Sequence, residues 1–183
     1  YQTARQITSE LGKADNMSEQ QSDELFNTIG LGALKYFILK VDPKKNMLFN
    51  PAESIDFNGN TGPFVQYTYA RINSLLQKAG SLGLKADIKN VDFKILSIEK
   101  NLLKSLRDYS NIINQAAEEL NPSVIVNYVY ELTKQFNQFY QEVPVLKENN
   151  TNLKLFRLSF SLLTLSVIKS AMSLLGINVP EKM

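Results

Sequence analysis

The sequence predicts an all-α protein. Apolar residues recur at spacings of three and four along most of the 183 residues, and the alternation typical of strands is nearly absent. Clusters of proline, glycine and asparagine interrupt these stripes and separate them into helix-sized pieces. With 44% hydrophobic residues, the chain suits one globular domain, or one domain with part of a neighbour.

The first predicted helix begins at a capping box formed by Ser18 and Gln21. Its apolar stripe recurs every four residues, at Leu25, Ile29, Ala33 and Phe37. Pro43 cannot continue a helix, so we expect the helix to end there. Residues 42–61 are rich in turn-forming residues and predict a connector.

The second predicted helix follows a glycine-containing turn at residues 59–62 and runs to about Ala79. Pro63 suits its first position, where no amide donor is needed. One stripe of this helix is apolar and is expected to face the core: Val65, Tyr69, Ile72 and Leu76.

Three further helices are predicted after an exposed loop at residues 80–90. The third spans about 95–120, the fourth about 122–143, and the last about 153–175. The expected apolar residues of the third are Leu96, Leu103, Leu106, Ile112, Ile113 and Ala117. The last helix is apolar most of the way round, which predicts a place in the middle of the bundle, and Gly176 is placed to cap it.

The apolar region at 153–175 is not expected to span a membrane. Lys154, Arg157 and Lys169 interrupt it, and a span needs about 20 consecutive apolar residues. A basic start followed by an apolar run, the pattern of a signal peptide, is not seen either. The lack of cysteine is compatible with a reducing cytosol, and we expect a cytoplasmic protein.

The composition excludes several kinds of active site. The chain has no cysteine and no histidine, which excludes disulfides, metal sites built on those residues, cysteine nucleophiles and histidine acid–base catalysis in this sequence. Neither a paired-carboxylate motif nor a glycine-rich phosphate loop is present. We therefore predict no catalytic, cofactor-binding or metal-binding residue here, and a binding module rather than an enzyme active site.

Charge is distributed unevenly although the net charge is only +2. Residues 71–107 hold eight basic and three acidic side chains, and residues 108–150 hold two basic and six acidic ones. A basic section favours a polyanionic partner through counterion release. The alternative is a solvated surface that happens to be rich in lysine, and charge alone favours it.

Phe64, Tyr67 and Arg71 are spaced i, i+3 and i+7 and so share one face of the second helix. Two rings and a guanidinium on one face can stack on an unpaired base and hold its phosphate. The alternative is packing against a neighbouring helix, which is the more common role of such rings. A protein-interaction bundle that does not bind RNA is therefore a second interpretation.

Four stretches carry a resemblance to a known family: residues 30–37, 59–71, 128–145 and 174–183. The second contains Gly-Asn-Thr-Gly-Pro-Phe-Val-Gln-Tyr, and the last reads Leu-Leu-Gly-Ile-Asn-Val-Pro-Glu-Lys-Met. With these stretches the chain resembles the C-terminal part of the arginyl-tRNA synthetases, which are class I aminoacyl-tRNA synthetases.

The resemblance implies a helical bundle of the class I synthetase anticodon-binding type. It implies that residues 1–55 are the tail of the catalytic core with a connecting helix, and that residues 56–183 are the anticodon-binding domain. The implied partner is the anticodon loop of arginine tRNA, and the implied state is a monomer. The parent enzyme would use ATP to attach arginine, whereas this sequence lacks the active site.

The resemblance also implies RNA-binding roles for Phe64, Tyr67, Arg71, Tyr140 and Met183. Phe64 stands where a tyrosine is common in the family, so the ring is kept and its hydroxyl is lost. Pro144 stands where some members carry a large aromatic residue. For Met183 the alternative to a pocket-closing role is an idle chain end, because termini are often poorly ordered.

Overall fold

The computed structural model describes residues 18–86 and 94–183, and within these ranges every regular element is an α-helix. The helices are α1 (Glu19–Leu39), α2 (Pro51–Ser54), α3 (Gly62–Ser81), α4 (Ser97–Glu118), α5 (Ser123–Glu142) and α6 (Thr151–Leu174). The predicted all-α class is confirmed. Residues 1–17 of the predicted first region and residues 87–93 of the predicted loop lie outside the described residues.

Side-chain caps begin the helices where polar residues precede the apolar stripes. Ser18 and Gln21 form the predicted capping box of α1, with each side chain bonded to the other's backbone amide at 3.3 and 3.0 Å. The predicted connector at residues 42–61 contains one short helix, α2, that the sequence analysis did not predict. Asn50 caps this single turn and Pro51 is its first residue, so Asn-Pro starts a helix here rather than a plain turn.

The core lies between α3, α4, α5 and α6, with Tyr36 of α1 packed into it. On α3 the predicted stripe is buried at Val65, Tyr69 and Ile72, and Leu76 is partly buried. The predicted register of α4 is wrong in part. Its buried residues are Glu99, Leu102, Leu106 and Ala116, whereas Leu96 and Ala117 are exposed. Adjacent leucines at 102 and 103 fit two helical stripes equally well, and only packing selects between them.

Helix α6 packs against α3, α4 and α5, as its apolar composition predicts. Its buried residues lie on one broad side, while Leu162 and Leu163 are exposed. By length and composition alone it could cross a membrane, the only such helix in the described ranges. Over half of the apolar stretch of α6 is buried within the bundle, as in the core helix of a compact domain.

Two glycines allow α1 to approach the start of α3 closely. A side chain at Gly62 would bring its Cβ to 2.8 Å from the carbonyl oxygen of Gly32, so only glycine fits there without a shift. One turn further along α1, the buried Tyr36 hydroxyl donates to Asn60 Oδ1 at 2.8 Å. It also lies 3.3 Å from the carbonyl oxygen of Val126. The turn that precedes α3 is therefore fixed from the side of α1.

The C-terminal segment runs along α3. Gly176 has a φ of 66° and ends α6 in the left-handed conformation, as predicted. Beyond it, Gln66 Nε2 donates to the carbonyl oxygen of Asn178 at 2.8 Å, and Asn73 Nδ2 donates to that of Glu181 at 3.0 Å. Gln66 and Asn73 are seven residues apart, so the segment follows one face of α3, opposite the face that carries Phe64.

Candidate nucleic-acid interface

An open groove of about 350 Å³ lies between α3, α5 and the turn before α3. We call it the Arg71 groove. Its lining residues are Phe57 and Asn58 from the turn, Phe64, Tyr67 and Arg71 from α3, and Lys134, Asn137, Gln138 and Gln141 from α5. The three residues predicted to share a face of α3 therefore line one open space, and Phe64 also packs against the edge of the core.

The turn before α3 sets the position of the two rings. Gly59 has a φ of 111°, a conformation that residues with a side chain rarely adopt. Thr61 then caps α3 by accepting the amide of Phe64 at 3.3 Å, and its hydroxyl donates to the carbonyl oxygen of Asp56. As a result Phe57 meets Tyr67 edge-on, with ring centroids 6.5 Å apart.

Phe64 and Tyr67 are neither sealed in the core nor fully exposed. The Phe64 ring packs against Tyr130 of α5, with centroids 5.7 Å apart. Tyr67 lies beside Arg71, whose guanidinium carbon is 4.8 Å from the Tyr67 ring centroid. Both rings are thus supported by neighbours and still line the groove, which is the arrangement a stacking surface requires.

Arg71 is held by α5. Its Nη1 donates to Asn137 Oδ1 at 2.7 Å, and Asn137 Nδ2 in turn donates to Thr68 Oγ1 at 2.9 Å. The guanidinium carbon also lies 5.7 Å from the ring centroid of Tyr140. In the described part of the chain no carboxylate forms an ion pair with Arg71. Its charge is therefore available to an anionic ligand.

Tyr140 lies on the far side of Arg71 and is 37% exposed. It stacks on the buried Phe136, with centroids 6.3 Å apart and an interplanar angle of 24°. It lines a second open depression of about 630 Å³ rather than the Arg71 groove. Lys78, Pro144 and Lys147 line this depression too. Pro144, which stands where some members of the resembled family carry a large aromatic residue, thus lies close to Tyr140.

The structure brings four of the five predicted residues together around Arg71 and leaves out the fifth. Met183 is partly buried, but it lines neither the Arg71 groove nor the depression beside Tyr140. The segment that leads to it is bonded to the other face of α3, through Gln66 and Asn73. A role for Met183 in binding RNA stays a prediction.

The sequence analysis named Tyr140 of α5 but missed the polar residues that α5 contributes to the Arg71 groove. Lys134, Gln138 and Gln141 recur at i, i+4 and i+7, which was a readable signal of a polar face. Lys134 lies 4.9 Å from the centroid of Tyr130 and 2.9 Å from Glu131 Oε1. The hydrogen bond to Glu131 raises the pKa of Lys134, so this lysine stays charged. Helix α5 thus adds a second cation and three amides to the predicted residues that line the groove.

No group of three or more metal-ligating side chains occurs among the residues that the structure describes. The Arg71 groove itself is lined by rings, amides and two cations, with no carboxylate among its lining residues. Such a surface can stack on flat rings, donate hydrogen bonds and attract negative charge.

Known proteins match both the sequence and the fold. The family model of the DALR anticodon binding domain matches residues 65–183. A protein of Phocaeicola vulgatus named arginine–tRNA ligase is 50% identical over 183 residues, which are 100% of this chain and 30% of the relative. The enzyme of the same name from Flavobacterium psychrophilum is 50% identical over 182 residues, or 99% of this chain and 30% of its own length.

Two solved structures show the same fold. Arginyl-tRNA synthetase of Thermus thermophilus superposes with a TM-score of 0.87 at 31% identity, over 100% of this chain and 30% of that one. The Plasmodium falciparum enzyme gives a TM-score of 0.79 at 25% identity, over 100% and 32%. The predicted bundle type and the resemblance to arginyl-tRNA synthetases are confirmed. The chain spans about 30% of the length of the curated relatives it matches.

The matched region contains α3 from Val65 onward together with α4, α5 and α6, and therefore most of the Arg71 groove. The division of the sequence at residue 55 stays a prediction. From the fold and the family match together, the chain belongs to the DALR anticodon binding domain family.

Proposed function

We propose that this chain is the anticodon-binding part of an arginine–tRNA ligase, and that the Arg71 groove receives unpaired bases of the anticodon loop of arginine tRNA. The observation that carries the proposal is Arg71, held between Tyr67 and Tyr140 with no carboxylate partner in the described residues. Rings next to an unneutralised guanidinium suit a flat, anionic ligand such as a single-stranded nucleotide.

In this mechanism the bases of the loop are splayed out and stack on the exposed sides of Phe64 and Tyr67. Each such stack contributes about 1–3 kcal/mol and tolerates different bases. Arg71 supplies a planar fork of donors for a phosphate or for the edge of a base. The amides of Gln138 and Gln141 add hydrogen bonds that depend on the base, which is how one anticodon could be preferred over another.

The proposal places ATP and the attachment of arginine in the remainder of a longer ligase, since the chain spans about 30% of its relatives. Within this chain it assigns no catalytic, cofactor or metal role. It further holds that the ligase acts as a monomer in the cytoplasm. In this scheme the groove fixes the position of the tRNA, and the chemistry takes place at the acceptor end.

The test is a fluorescence titration of the chain with two RNA hairpins, the anticodon stem-loop of arginine tRNA and the same hairpin with a changed anticodon. We expect the first to bind more tightly. Tyr67→Leu should weaken its binding about 5- to 150-fold, the equivalent of one stacked base. The control is Phe49→Leu, an exposed ring outside the groove. Equal binding of both hairpins by the unaltered chain would exclude anticodon recognition.

The same titration separates RNA binding from the alternative of a protein-interaction bundle. Binding to RNA releases counterions, so affinity should fall steeply as the salt concentration rises. An apolar surface that docks a protein helix should show little dependence on salt.

A further inference from the structure

A second, smaller groove lies between α4 and α5 and opens next to the Arg71 groove. It has a volume of about 300 Å³, and we call it the α4–α5 groove. Its lining residues are Ile98, Asn101, Lys104 and Ser105 from α4, and Gln135 and Gln138 from α5. Gln138 lines both grooves, so an extended polymer bound in one groove can continue into the other.

The α4–α5 groove presents hydrogen-bond donors that nothing in the described part of the chain uses. Ser105 Oγ donates to Gln135 Oε1 at 2.8 Å, which fixes that amide and leaves its nitrogen as a donor. The amide of Asn101 and the ammonium group of Lys104 also lack a partner among the described residues, and no carboxylate lines the groove. Three donors around one space, one of them positively charged, are complementary to an anion with several oxygens.

On the α4 side of the groove most of the surrounding charge is positive, whereas on α5 the carboxylate of Glu142 accepts from Gln138 Nε2 at 2.9 Å. Lys100 and Arg107 flank Lys104 on α4 at i−4 and i+3, and all three are exposed. Glu99 is the acidic residue next to Lys100, and it is buried and paired with Arg157. Arg107 shares its charge with Asp108 at 3.3 Å, whereas no ion pair of Lys100 or Lys104 occurs within the described ranges. This side of α4 is therefore positive towards solvent.

We propose that the α4–α5 groove binds a phosphodiester group of the RNA backbone. Lys104 supplies the positive charge, and the amides of Asn101 and Gln135 are neutral hydrogen-bond donors. The inference rests on the proposed function, because the phosphate would belong to a nucleotide that follows those in the Arg71 groove. A phosphate contact positions the RNA and carries no base preference. The α4–α5 groove would thus add affinity to every RNA, and the Arg71 groove would choose among them.

The test measures the salt dependence of binding by the full 183-residue chain to the same two hairpins. Lys104→Ala should weaken both hairpins by the same factor, several-fold at low salt. It should also reduce the slope of log K against log salt by about 0.7, the value for one phosphate contact on a single strand. The matched control, Lys169→Ala, removes an exposed lysine of α6 that lines neither groove. Asn101→Ala should weaken both hairpins with no change of slope.

The outcomes distinguish this inference from the function on which it rests. If the unaltered chain prefers the arginine anticodon but Lys104→Ala behaves like Lys169→Ala, the phosphate site is wrong and the proposed function stands. If the unaltered chain binds both hairpins equally and Lys104→Ala still lowers the slope, anticodon recognition is wrong and the phosphate site stands. If Lys104→Ala changes the preference between hairpins, or if neither hairpin binds, the inference fails.

Discussion

Arg157 and Glu99 form a buried ion pair that joins α6 to the first turn of α4. Arg157 Nε lies 2.8 Å from Glu99 Oε1, and the two side chains are 5% and 0% exposed. The other oxygen of Glu99 accepts the amide of Leu96 at 2.7 Å, and Arg157 Nη1 contacts Glu148 Oε2 at 2.6 Å. One guanidinium thus connects α6, the start of α4 and the loop before α6.

We expect Glu99→Leu to lower the free energy of unfolding by about 3–5 kcal/mol, because it removes the fully buried partner of Arg157 and leaves that buried charge with the partly exposed Glu148 alone. The control is Glu131→Leu, which breaks an exposed pair with Lys134 and should cost less than about 1 kcal/mol. Urea denaturation at neutral pH measures both. Similar losses for the two variants would show that the buried pair has no special weight.

Stability at acid pH should depend on Glu148. The hydrogen bond from the backbone amide of Asn150 is the main cause that holds the pKa of Glu148 below its ordinary value, and the charge of Arg157 adds to this effect. A lowered pKa stabilises the fold above the unfolded value, near pH 4.3, and this contribution is lost as the pH falls through the folded value. In urea denaturation from pH 6 to pH 3, Glu148→Gln should therefore lose less stability than the unaltered chain. Glu118→Gln, at an exposed site, should follow the unaltered chain.

Stability at alkaline pH should depend on Tyr36. Burial, and secondarily the nearby Tyr130, raises the pKa of the Tyr36 phenol well above its usual range. A raised pKa stabilises the fold below the unfolded value of about 10, and the contribution disappears as the pH rises beyond it. Tyr36→Phe should lower the free energy of unfolding by about 1 kcal/mol at pH 7, because the hydrogen bonds of the hydroxyl are lost. Between pH 9 and 11, however, the variant should lose less stability than the unaltered chain. An unchanged alkaline slope in urea denaturation would contradict this assignment.

Gly32→Ala should destabilise the contact between α1 and α3. The added Cβ would lie 2.5 Å from Gln66 Nε2, which donates to the carbonyl oxygens of Thr28 and Asn178. We expect a loss of about 1–3 kcal/mol in thermal or urea unfolding, because the amide must leave its partners. Gly80→Ala is the matched control: it lies in α3 with no atom near the added Cβ, and should stabilise by about 0.4–1 kcal/mol.

Asn137→Ala should weaken RNA binding without removing a charge. Asn137 accepts from Arg71 at 2.7 Å and holds the guanidinium near Tyr67. Its loss should reduce affinity for the arginine anticodon hairpin about 5- to 10-fold, the value of one hydrogen bond, with the salt slope unchanged. Gln115→Ala, on the exposed end of α4, should have no effect. A changed salt slope for Asn137→Ala would show that Asn137 does more than position Arg71.

The sequence predicted the long helices because apolar stripes run along their middles, and because residues such as Ser18, Pro63 and Gly176 mark several of their ends. It failed at α2, since Asn50-Pro51 is both a turn signal and a helix start, and only the chain around it decides. It failed in the register of α4, where Leu102 and Leu103 fit equally regular stripes. Both failures concern choices that tertiary packing makes and local spacing does not record.

The candidate site was predictable on one helix and not across two. Phe64, Tyr67 and Arg71 share a face of α3, and helical spacing fixes that relation. Asn137 and Lys134 meet them only because α5 crosses α3, sixty residues or more along the sequence. Likewise, helical spacing says nothing about the free donors of the α4–α5 groove, because they come from two helices.

Arg71 is already immobilised by Asn137 and by two rings before any ligand arrives. An arginine side chain gives up about 2 kcal/mol of rotamer entropy when it is fixed in one conformation. Arg71 loses this entropy when the bundle folds, so the loss does not reduce the free energy of binding to RNA. The rigid half of the recognition event is therefore the protein, and the ordering that remains falls on the nucleotides of the loop.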